Sequence, residues 1–333
     1  MNPLIHIPLY CWPKAPDYAM RAMVEQHLTS LESYFALENT YDVLVTTNDR
    51  RPLEIFSAYK EKSGHRFDLR FVTPADLLSV FQTDQKRLNN IPCVRTIMSK
   101  FYPILSRERD AIVHVDFDTM FTSKLDLAPL FVSDIGLVDA NQFMAEPQRW
   151  QPTESQAEFF RLPAEVKPRW NWINSGVFSV QRRGFEILAG EISHYLENLD
   201  RAVADGTHVH TDEIIMNALA IREAEAVAVI PDHRYNFLAY FLKHDPEWTT
   251  HAQIVHFHSL KPDKFWYVDG ALTHRCDEVQ AQRVNDDLYR AVLMWFRHFH
   301  AACRDLPYLF PLLKAIPEDV VERELVLLSS KCD

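Results

Sequence analysis

Short apolar runs alternate with helical segments through the first half of the chain, and this alternation limits the folds that it can adopt. The apolar runs predict strands at 3–9, 42–47, 68–72 and 111–115. The segments between them predict helices over 17–37, 51–62 and 92–107. Repeated strand-then-helix units predict a mostly parallel sheet covered on both faces. The run AIVHV at 111–115 is apolar almost throughout, which is typical of a buried parallel strand.

The second half is less regular but keeps both kinds of element. Its patterns predict strands at 135–138, 177–180, 227–231 and 252–257, and helices over 184–199 and 212–222. From about residue 275 the pattern is helical. We therefore expect an α/β fold in two parts. Residues 1–270 form a domain on a mixed, mostly parallel sheet flanked by helices, and residues 271–333 form a helical C-terminal extension.

Composition excludes several classes of protein. The net charge of −11 and the pI near 5.7 argue against a general nucleic-acid surface, which is normally basic. The 5 cysteines are scattered without a CxxC pair, so a zinc site or a disulfide framework is not expected. No apolar run approaches the ~20 residues of a membrane span, and the N-terminus does not resemble a signal peptide. We therefore expect a cytoplasmic protein without nucleic-acid partners.

Asp116 and Asp118 stand one residue apart where the apolar run at 111–115 ends. In a strand, such residues face the same side, and the carboxyl ends of parallel strands are where α/β proteins bind ligands. Two close carboxylates repel each other unless a cation lies near, and a divalent ion that also binds a diphosphate meets this need. The alternative is that both residues cap a loop. Haloacid-dehalogenase-like phosphatases share the spacing, but Met120 stands where they carry threonine.

Two later stretches offer groups that suit a sugar. Asn174-Ser175-Gly176 precedes an apolar strand and presents an amide and a hydroxyl, although the same residues are typical of a turn. Asp212 and Glu213 begin a helix, where acidic side chains also suit the helix dipole. Asn217 shares a helix face with Glu213, which favours contact with a ligand.

A third stretch offers groups that suit a metal and a phosphate. His256 ends a predicted strand, and Lys261 and Lys264 follow it closely. An imidazole could complete a metal shell and a lysine could bind phosphate, although a histidine in such a place is more often structural.

In their order along the chain, these motifs resemble those of the GT-A glycosyltransferases, and specifically glycosyltransferase family 8. That family carries a DxD strand end, an NSG(V/I)F segment, a D-Q-x-x-x-N helix start and an HFxGxxKPW stretch. The matching segments here are VDFD (115–118), NSGVF (174–178), DEIIMN (212–217) and HFHSLKPDKFW (256–266). The resemblance covers roughly residues 3–266. It implies a GT-A fold and a metal-dependent hexosyltransferase that uses a nucleotide sugar, with a UDP-sugar expected and the configuration retained.

The resemblance also implies a role for each matched residue. Asp116, Asp118 and His256 would bind Mn²⁺ or Mg²⁺ on the donor diphosphate. The other donor-binding residues that it implies are Tyr10 for the base, Lys100 as a basic position, Asp139 and Asn174 for the sugar, and a lysine after His256 for phosphate. Asp212 and Glu213 would lie near the anomeric carbon as the catalytic residues.

Two departures from the family pattern leave points open. The family's lysine lies six positions after the histidine, where this chain has Pro262, so the phosphate role is divided between Lys261 and Lys264. The family's usual glutamine is Glu213 here. Its carboxylate could attack the anomeric carbon, act as a base or bind a sugar hydroxyl, so retention of configuration does not follow from the motif alone.

Alternative functions and the acceptor are also open. A non-catalytic nucleotide-sugar-binding protein would carry the same motifs. A sugar-nucleotide pyrophosphorylase would need a glycine-rich loop near the first strand, and residues 8–17 contain no glycine. The expected acceptor is a saccharide, a lipid-linked sugar or a protein. Aromatic residues at helical spacing in 283–313 predict helices that pack on the catalytic domain, with contact to a membrane surface or a partner as the alternative.

Overall fold

The computed structural model describes residues 2–10, 17–73, 75–76, 79, 100–139, 152–163, 173–204, 211–238, 251–256, 265–268, 271–274, 319 and 323. The chain divides into two compact units. Unit 1 consists of Met1–Ala15, Thr40–Asp116 and Asp126–His233, and unit 2 consists of Pro16–Asn39, Phe117–Leu125 and Arg234–Asp333.

Unit 1 is built on a seven-stranded sheet. Its strands are β1 (Leu4–Leu9), β2 (Asp42–Thr47), β3 (Asp68–Phe71), β4 (Ala111–Val115), β6 (Ile135–Val138), β7 (Val177–Gln181) and β8 (Val227–Ile230). Their spatial order is β3-β2-β1-β4-β7-β6-β8. Among these strands, β7 runs antiparallel to both of its neighbours and the other neighbouring pairs are parallel. The predicted fold class, a mixed and mostly parallel sheet with helices, is confirmed.

The helices described in unit 1 are α2 (Arg50–Ser63), α3 (Glu154–Phe159), α4 (Gly184–Glu197), α5 (Leu199–Ala204) and α6 (Thr211–Arg222), and residues 100–105 are also helical. The side chain of Asp49 caps the start of α2, and Gly64 ends it at a φ of 70°, a left-handed conformation that glycine adopts without strain. Thr153 begins α3 in a capping box with Gln156. Helical and strand side chains together form one buried apolar cluster, which includes Ile112 and Phe178.

Unit 2 contains helix α1 (Asp17–Ala36), a three-stranded sheet and a hairpin. The sheet has the order β5-β10-β9, with β5 at Thr119–Phe121, β9 at Phe237–Leu238 and β10 at Ile254–His256. Strand β10 is antiparallel to β5 and parallel to β9. The hairpin pairs β11 (Phe265–Val268) with β12 (Ala271–His274). Among the described helices, none combines the length and the apolar character that crossing a bilayer requires.

Most predicted elements of the first half lie where the sequence pattern puts them, and the later strands begin or end within two residues of their predictions. The short elements that were not predicted include the strands β5, β9, β11 and β12 and the helices α3 and α5. The predicted domain boundary at 270/271 falls between the paired strands β11 and β12. Beyond residue 274 only Asp319 and Arg323 are described, so the helical extension and the surface at 283–313 remain predictions.

Candidate functional site

The two aspartates lie in the turn that follows β4. Strand β4 ends at Val115 and β5 begins at Thr119, so residues 116–118 are outside both strands. The prediction that the two side chains face the same way assumed one continuous strand. Because the two residues lie in a turn, that argument does not apply to them. Asp116 belongs to unit 1 and Asp118 belongs to unit 2. Each is described below with the residues of its own unit.

Asp116 is part of a buried group with Lys100, Ser175 and Asp212, which we call the lysine cluster. Lys100 Nζ lies 3.0 Å from Asp116 Oδ1 and 2.6 Å from Asp212 Oδ2, and it donates to Ser175 Oγ at 3.0 Å. Ser175 Oγ donates in turn to Asp212 Oδ2 at 2.5 Å. The ammonium therefore has a partner for each of its three protons. Four stretches that are far apart in sequence meet in this cluster: the helical segment 100–105, the residue after β4, the loop before β7 and the start of α6.

The charges of the lysine cluster hold one another ionised. Burial alone would lower the pKa of Lys100, but the charges of Asp116 and Asp212 outweigh it and raise that pKa above its ordinary value. Burial likewise opposes the charge on Asp212, but Lys100 and the hydrogen bond from Ser175 lower the pKa of Asp212 to about 2. Two carboxylates and one ammonium give the cluster a net negative charge at neutral pH, which favours a cation nearby.

Asn174 and Glu213 form a second buried contact. Asn174 precedes Ser175 in the chain, and Glu213 follows Asp212. Asn174 Nδ2 donates to Glu213 Oε1 at 2.8 Å, and Asn174 Oδ1 accepts from the Gly176 backbone N–H at 2.9 Å. Asn217 then connects this loop to α6, because its side chain bonds both the N–H and the C=O of Ile173 at 3.1 Å. The NSG loop and the start of α6 therefore lie side by side, and an amide orients the Glu213 carboxylate.

In unit 2, Asp118 lies beside His256. The register of β5 and β10 places His256 opposite Thr119, one residue after Asp118. Asp118 Oδ1 lies 3.4 Å from His256 Nε2, and His256 Nδ1 lies 3.0 Å from Asn236 Oδ1. An amide oxygen only accepts, so Nδ1 donates to Asn236 and Nε2 is the ring nitrogen that faces the carboxylate. A carboxylate oxygen and an imidazole nitrogen on the same side are ligand types that suit a divalent cation.

Asp116 also has a partner on the side of the sheet strands. His114 Nε2 lies 2.9 Å from Asp116 Oδ1, and His114 Nδ1 lies 3.3 Å from His6 Nδ1. Burial lowers the pKa of His114 and outweighs the opposite effect of Asp116, which keeps the imidazole neutral at pH 7.

The remaining predicted site residues are Tyr10, Asp139, Lys261 and Lys264. Tyr10 follows β1, and its ring packs against the core cluster. Its buried hydroxyl has no hydrogen-bond partner among the described residues, and burial raises its pKa. Asp139 is buried just after β6 and donates its backbone N–H to Ile230. Lys261 and Lys264 lie outside the described residues. The roles of all four remain predictions.

Sequence reasoning missed the residues that orient the predicted ones. The sequence identifies Ser175 only as a hydroxyl near a turn, and it assigns no site role to Asn236 or His114. A signal existed for His114, because it interrupts an apolar run and stands two residues before Asp116. His6 interrupts the apolar run of β1 in the same way. Asn236 carries no such signal, since its role depends on the pairing of β9 with β10.

Comparisons with known proteins found similar structures but no similar sequence. No family model and no curated protein matches the chain. Among solved structures, it is similar to mouse xyloside xylosyltransferase 1 in the apo form, with 14% identity, a TM-score of 0.48, and coverage of 79% of this chain and 99% of that one. It is also similar to the galactosyltransferase LgtC in complex with donor and acceptor sugar analogs, with 15% identity, a TM-score of 0.41, and coverage of 84% and 99%.

Proposed function

We propose that this chain is a GT-A glycosyltransferase that moves a hexose from a nucleotide sugar to a saccharide, lipid-linked or protein acceptor. The observation that carries the proposal is the meeting of three motifs in unit 1. The DxD turn, the NSG loop and the DE helix start share hydrogen bonds through Lys100, Ser175 and Asp212, and Asn174 bonds Glu213 beside them. A sugar-nucleotide site needs these groups together, whereas three unrelated structural motifs would have no reason to meet.

We further propose that a divalent cation, Mn²⁺ or Mg²⁺, belongs to this site. Asp118 and His256 would hold it, with Asp116 two residues earlier in the chain as the third ligand. The support is the placement of His256 Nε2, which lies 3.4 Å from Asp118 Oδ1 while Asn236 contacts the other ring nitrogen. A bound cation would supply Lewis-acid stabilisation of the charge that develops on the leaving diphosphate.

The chain's own residues would then bind and orient the donor. A UDP-sugar is the expected donor, with Tyr10 for the base, Asp139 and Asn174 for the sugar, and Lys261 or Lys264 for phosphate. Lys100 would act by holding Asp116 and Asp212 in place, because its three protons are engaged by the lysine cluster. Glu213 would lie nearest the anomeric carbon, with Asn174 orienting its carboxylate.

The transfer breaks the bond between the anomeric carbon and a phosphate oxygen and forms a bond to an acceptor hydroxyl oxygen. The proton of that hydroxyl must pass to a base, which Glu213 or the departing phosphate can supply. Retention of configuration is expected from the family resemblance, and Glu213 is the residue on which that outcome depends.

The test is release of free nucleotide from a panel of UDP-sugars, with and without Mn²⁺. We expect release with at least one donor, its loss when the metal is chelated, and its loss in Asp118→Asn. Asp110→Asn, which changes an exposed carboxylate outside the site, is the control and should match the wild type. Full activity of Asp118→Asn would show that the metal assignment is wrong.

The second candidate function is nucleotide-sugar binding without transfer. The observation that favours it is the number of site groups already paired within the protein, because Lys100 and Asp212 bond each other instead of presenting free charge. Calorimetry separates the two functions. Tight binding of a UDP-sugar without transfer of the sugar to water or to any acceptor, and so without release of UDP, would favour the binding protein.

A further inference from the structure

Two fully buried histidines lie side by side in the centre of the unit 1 sheet. His6 on β1 and His114 on β4 are direct neighbours in the parallel register, and both are 0% exposed. Imidazoles are costly to bury unless their nitrogens find partners, and aliphatic side chains would fill these strand positions without that cost. The pair therefore needs an explanation beyond packing.

The two imidazoles connect Asp116 to Thr46 on β2, two strands away from β4 in the sheet. Thr46 Oγ1 on β2 lies 2.8 Å from His6 Nε2. His6 Nδ1 lies 3.3 Å from His114 Nδ1, and His114 Nε2 lies 2.9 Å from Asp116 Oδ1. We call Thr46, His6 and His114 the histidine chain. It runs from Thr46 on β2 through His6 on β1 to His114 on β4, and His114 contacts the Asp116 carboxylate.

The direction of each hydrogen bond follows from the end that is fixed. Asp116 is a carboxylate beside the Lys100 ammonium and only accepts, so His114 Nε2 must donate to it. The contact between the two Nδ1 atoms needs one donor and one acceptor, so with the His114 proton on Nε2 the donor is His6 Nδ1. His6 Nε2 is in turn the acceptor, and the Thr46 hydroxyl donates to it. One set of tautomers satisfies every nitrogen in the histidine chain.

Packing holds the last ring in place. The His114 ring stacks on Phe178 of β7, with centroids 4.8 Å apart and planes 22° apart. Phe178 lies opposite His114 in the antiparallel register of β4 and β7. The ring is therefore fixed on its face by Phe178 and at its two nitrogens by Asp116 and His6.

We propose that His114 is a positioning residue for Asp116, and that His6 and Thr46 fix its tautomer so that Nε2–H points at the carboxylate. His114 fixes Oδ1 while Lys100 contacts both oxygens, at 3.0 Å and 3.1 Å. The carboxylate is thus oriented before any ligand binds. The importance of that orientation rests on the proposed function, in which Asp116 is a ligand of the cation.

The first experiment reads the tautomers directly in the wild-type protein without metal. Long-range ¹H–¹⁵N spectra of histidine-labelled protein distinguish protonated from bare ring nitrogens. We expect His114 protonated at Nε2 only and His6 protonated at Nδ1 only, with assignment through His114→Gln and His6→Gln. A His114 that carries its proton on Nδ1 would overturn the proposal.

The second experiment measures the affinity for Mn²⁺ alone by titration calorimetry. His114→Leu removes the donor to Asp116, and we expect about a ten- to hundred-fold weaker affinity, as for other changes to residues that orient metal ligands. His114→Gln can still donate from its amide and should recover most of that loss. His194→Gln is the control. The His194 side chain bonds the Phe159 carbonyl, and both residues are distant in sequence from Asp116. Wild-type affinity in a folded His114→Leu would overturn the proposal.

The two readouts separate this proposal from the proposed function. If the wild type shows the expected tautomers but binds no Mn²⁺, the cation assignment fails and the oriented Asp116 stands. If the wild type binds Mn²⁺ and the tautomers are different, the cation assignment stands and the histidine chain fails.

Discussion

Lys100 and Asp212 form a buried ion pair whose charged atoms, Nζ and Oδ2, lie 2.6 Å apart. Lys100 comes from the helical segment that precedes β4, and Asp212 comes from the first turn of α6. The same ammonium also contacts Asp116, so two carboxylates share one positive charge. Removal of that charge has consequences that can be measured.

Replacement of Lys100 by methionine should destabilise the protein by about 3–5 kcal/mol, because it leaves two buried carboxylates without their cation. Urea unfolding at pH 7 measures this cost. Arg107→Met is the matched control, since Arg107 and Glu186 form a pair whose side chains are both more than half exposed, and it should cost much less because solvent screens such a pair. The double variant Lys100→Met/Asp212→Asn should recover part of the loss. Equal effects of the two single variants would contradict the charge balance.

The lowered pKa of Asp212 predicts a dependence of stability on pH in acid. The pKa falls from an ordinary 3.8 to about 2 in the folded protein, a difference that corresponds to roughly 2 kcal/mol. Because the folded-state pKa is depressed, this contribution is present above about pH 4 and is lost as the pH falls towards 2. Between pH 5 and pH 2 the free energy of unfolding of Asp212→Asn should therefore fall less than that of the wild type. Parallel curves for the two proteins would show that Asp212 is not held ionised by Lys100.

Two glycines predict opposite effects of the same substitution. A Cβ on Gly136 in β6 would lie 2.2 Å from the Leu130 carbonyl oxygen and 2.5 Å from Ser179 Oγ, so Gly136→Ala should destabilise the protein by several kcal/mol or prevent folding. A Cβ on Gly190 meets nothing within 4 Å. Because Gly190 lies inside α4, Gly190→Ala should stabilise by up to about 1 kcal/mol. Thermal unfolding of both variants tests the packing of β6, and a stable Gly136→Ala would contradict it.

The sequence predicted the strands of unit 1 well because their patterns are local. Residues 111–115 and 135–138 are apolar runs that end at polar residues, and the observed strands have the same bounds. The antiparallel direction of β7 could not be predicted, since an apolar run does not encode the direction of its neighbour. The strands β5 and β9 are three and two residues long, and pairing with β10 defines them more than their own residues do.

The sequence predicts those candidate site residues whose type and spacing are visible within one short motif. Asp116 and Asp118 were identified from spacing, and His256 from its place at a strand end. The groups that orient them depend on contacts between distant segments: Ser175 with Asp212, Asn236 with His256, and His114 with Asp116. A single sequence does not show which polar residue in one strand will face which residue of another.

The last prediction concerns Glu213, whose role the family resemblance leaves open. Glu213→Gln keeps an oxygen that can accept from Asn174 Nδ2, so the fold and the free energy of unfolding should change little. If the carboxylate attacks the anomeric carbon or acts as the base, kcat should fall by about a hundred-fold or more while KM for the donor stays within a few-fold. If it binds a sugar hydroxyl, KM should rise and kcat should be nearly unchanged. Asn217→Asp, which changes an amide on the same helix face that bonds the Ile173 backbone, controls for disturbance of α6. Wild-type values of kcat and KM in Glu213→Gln would show that Glu213 has no role in the reaction.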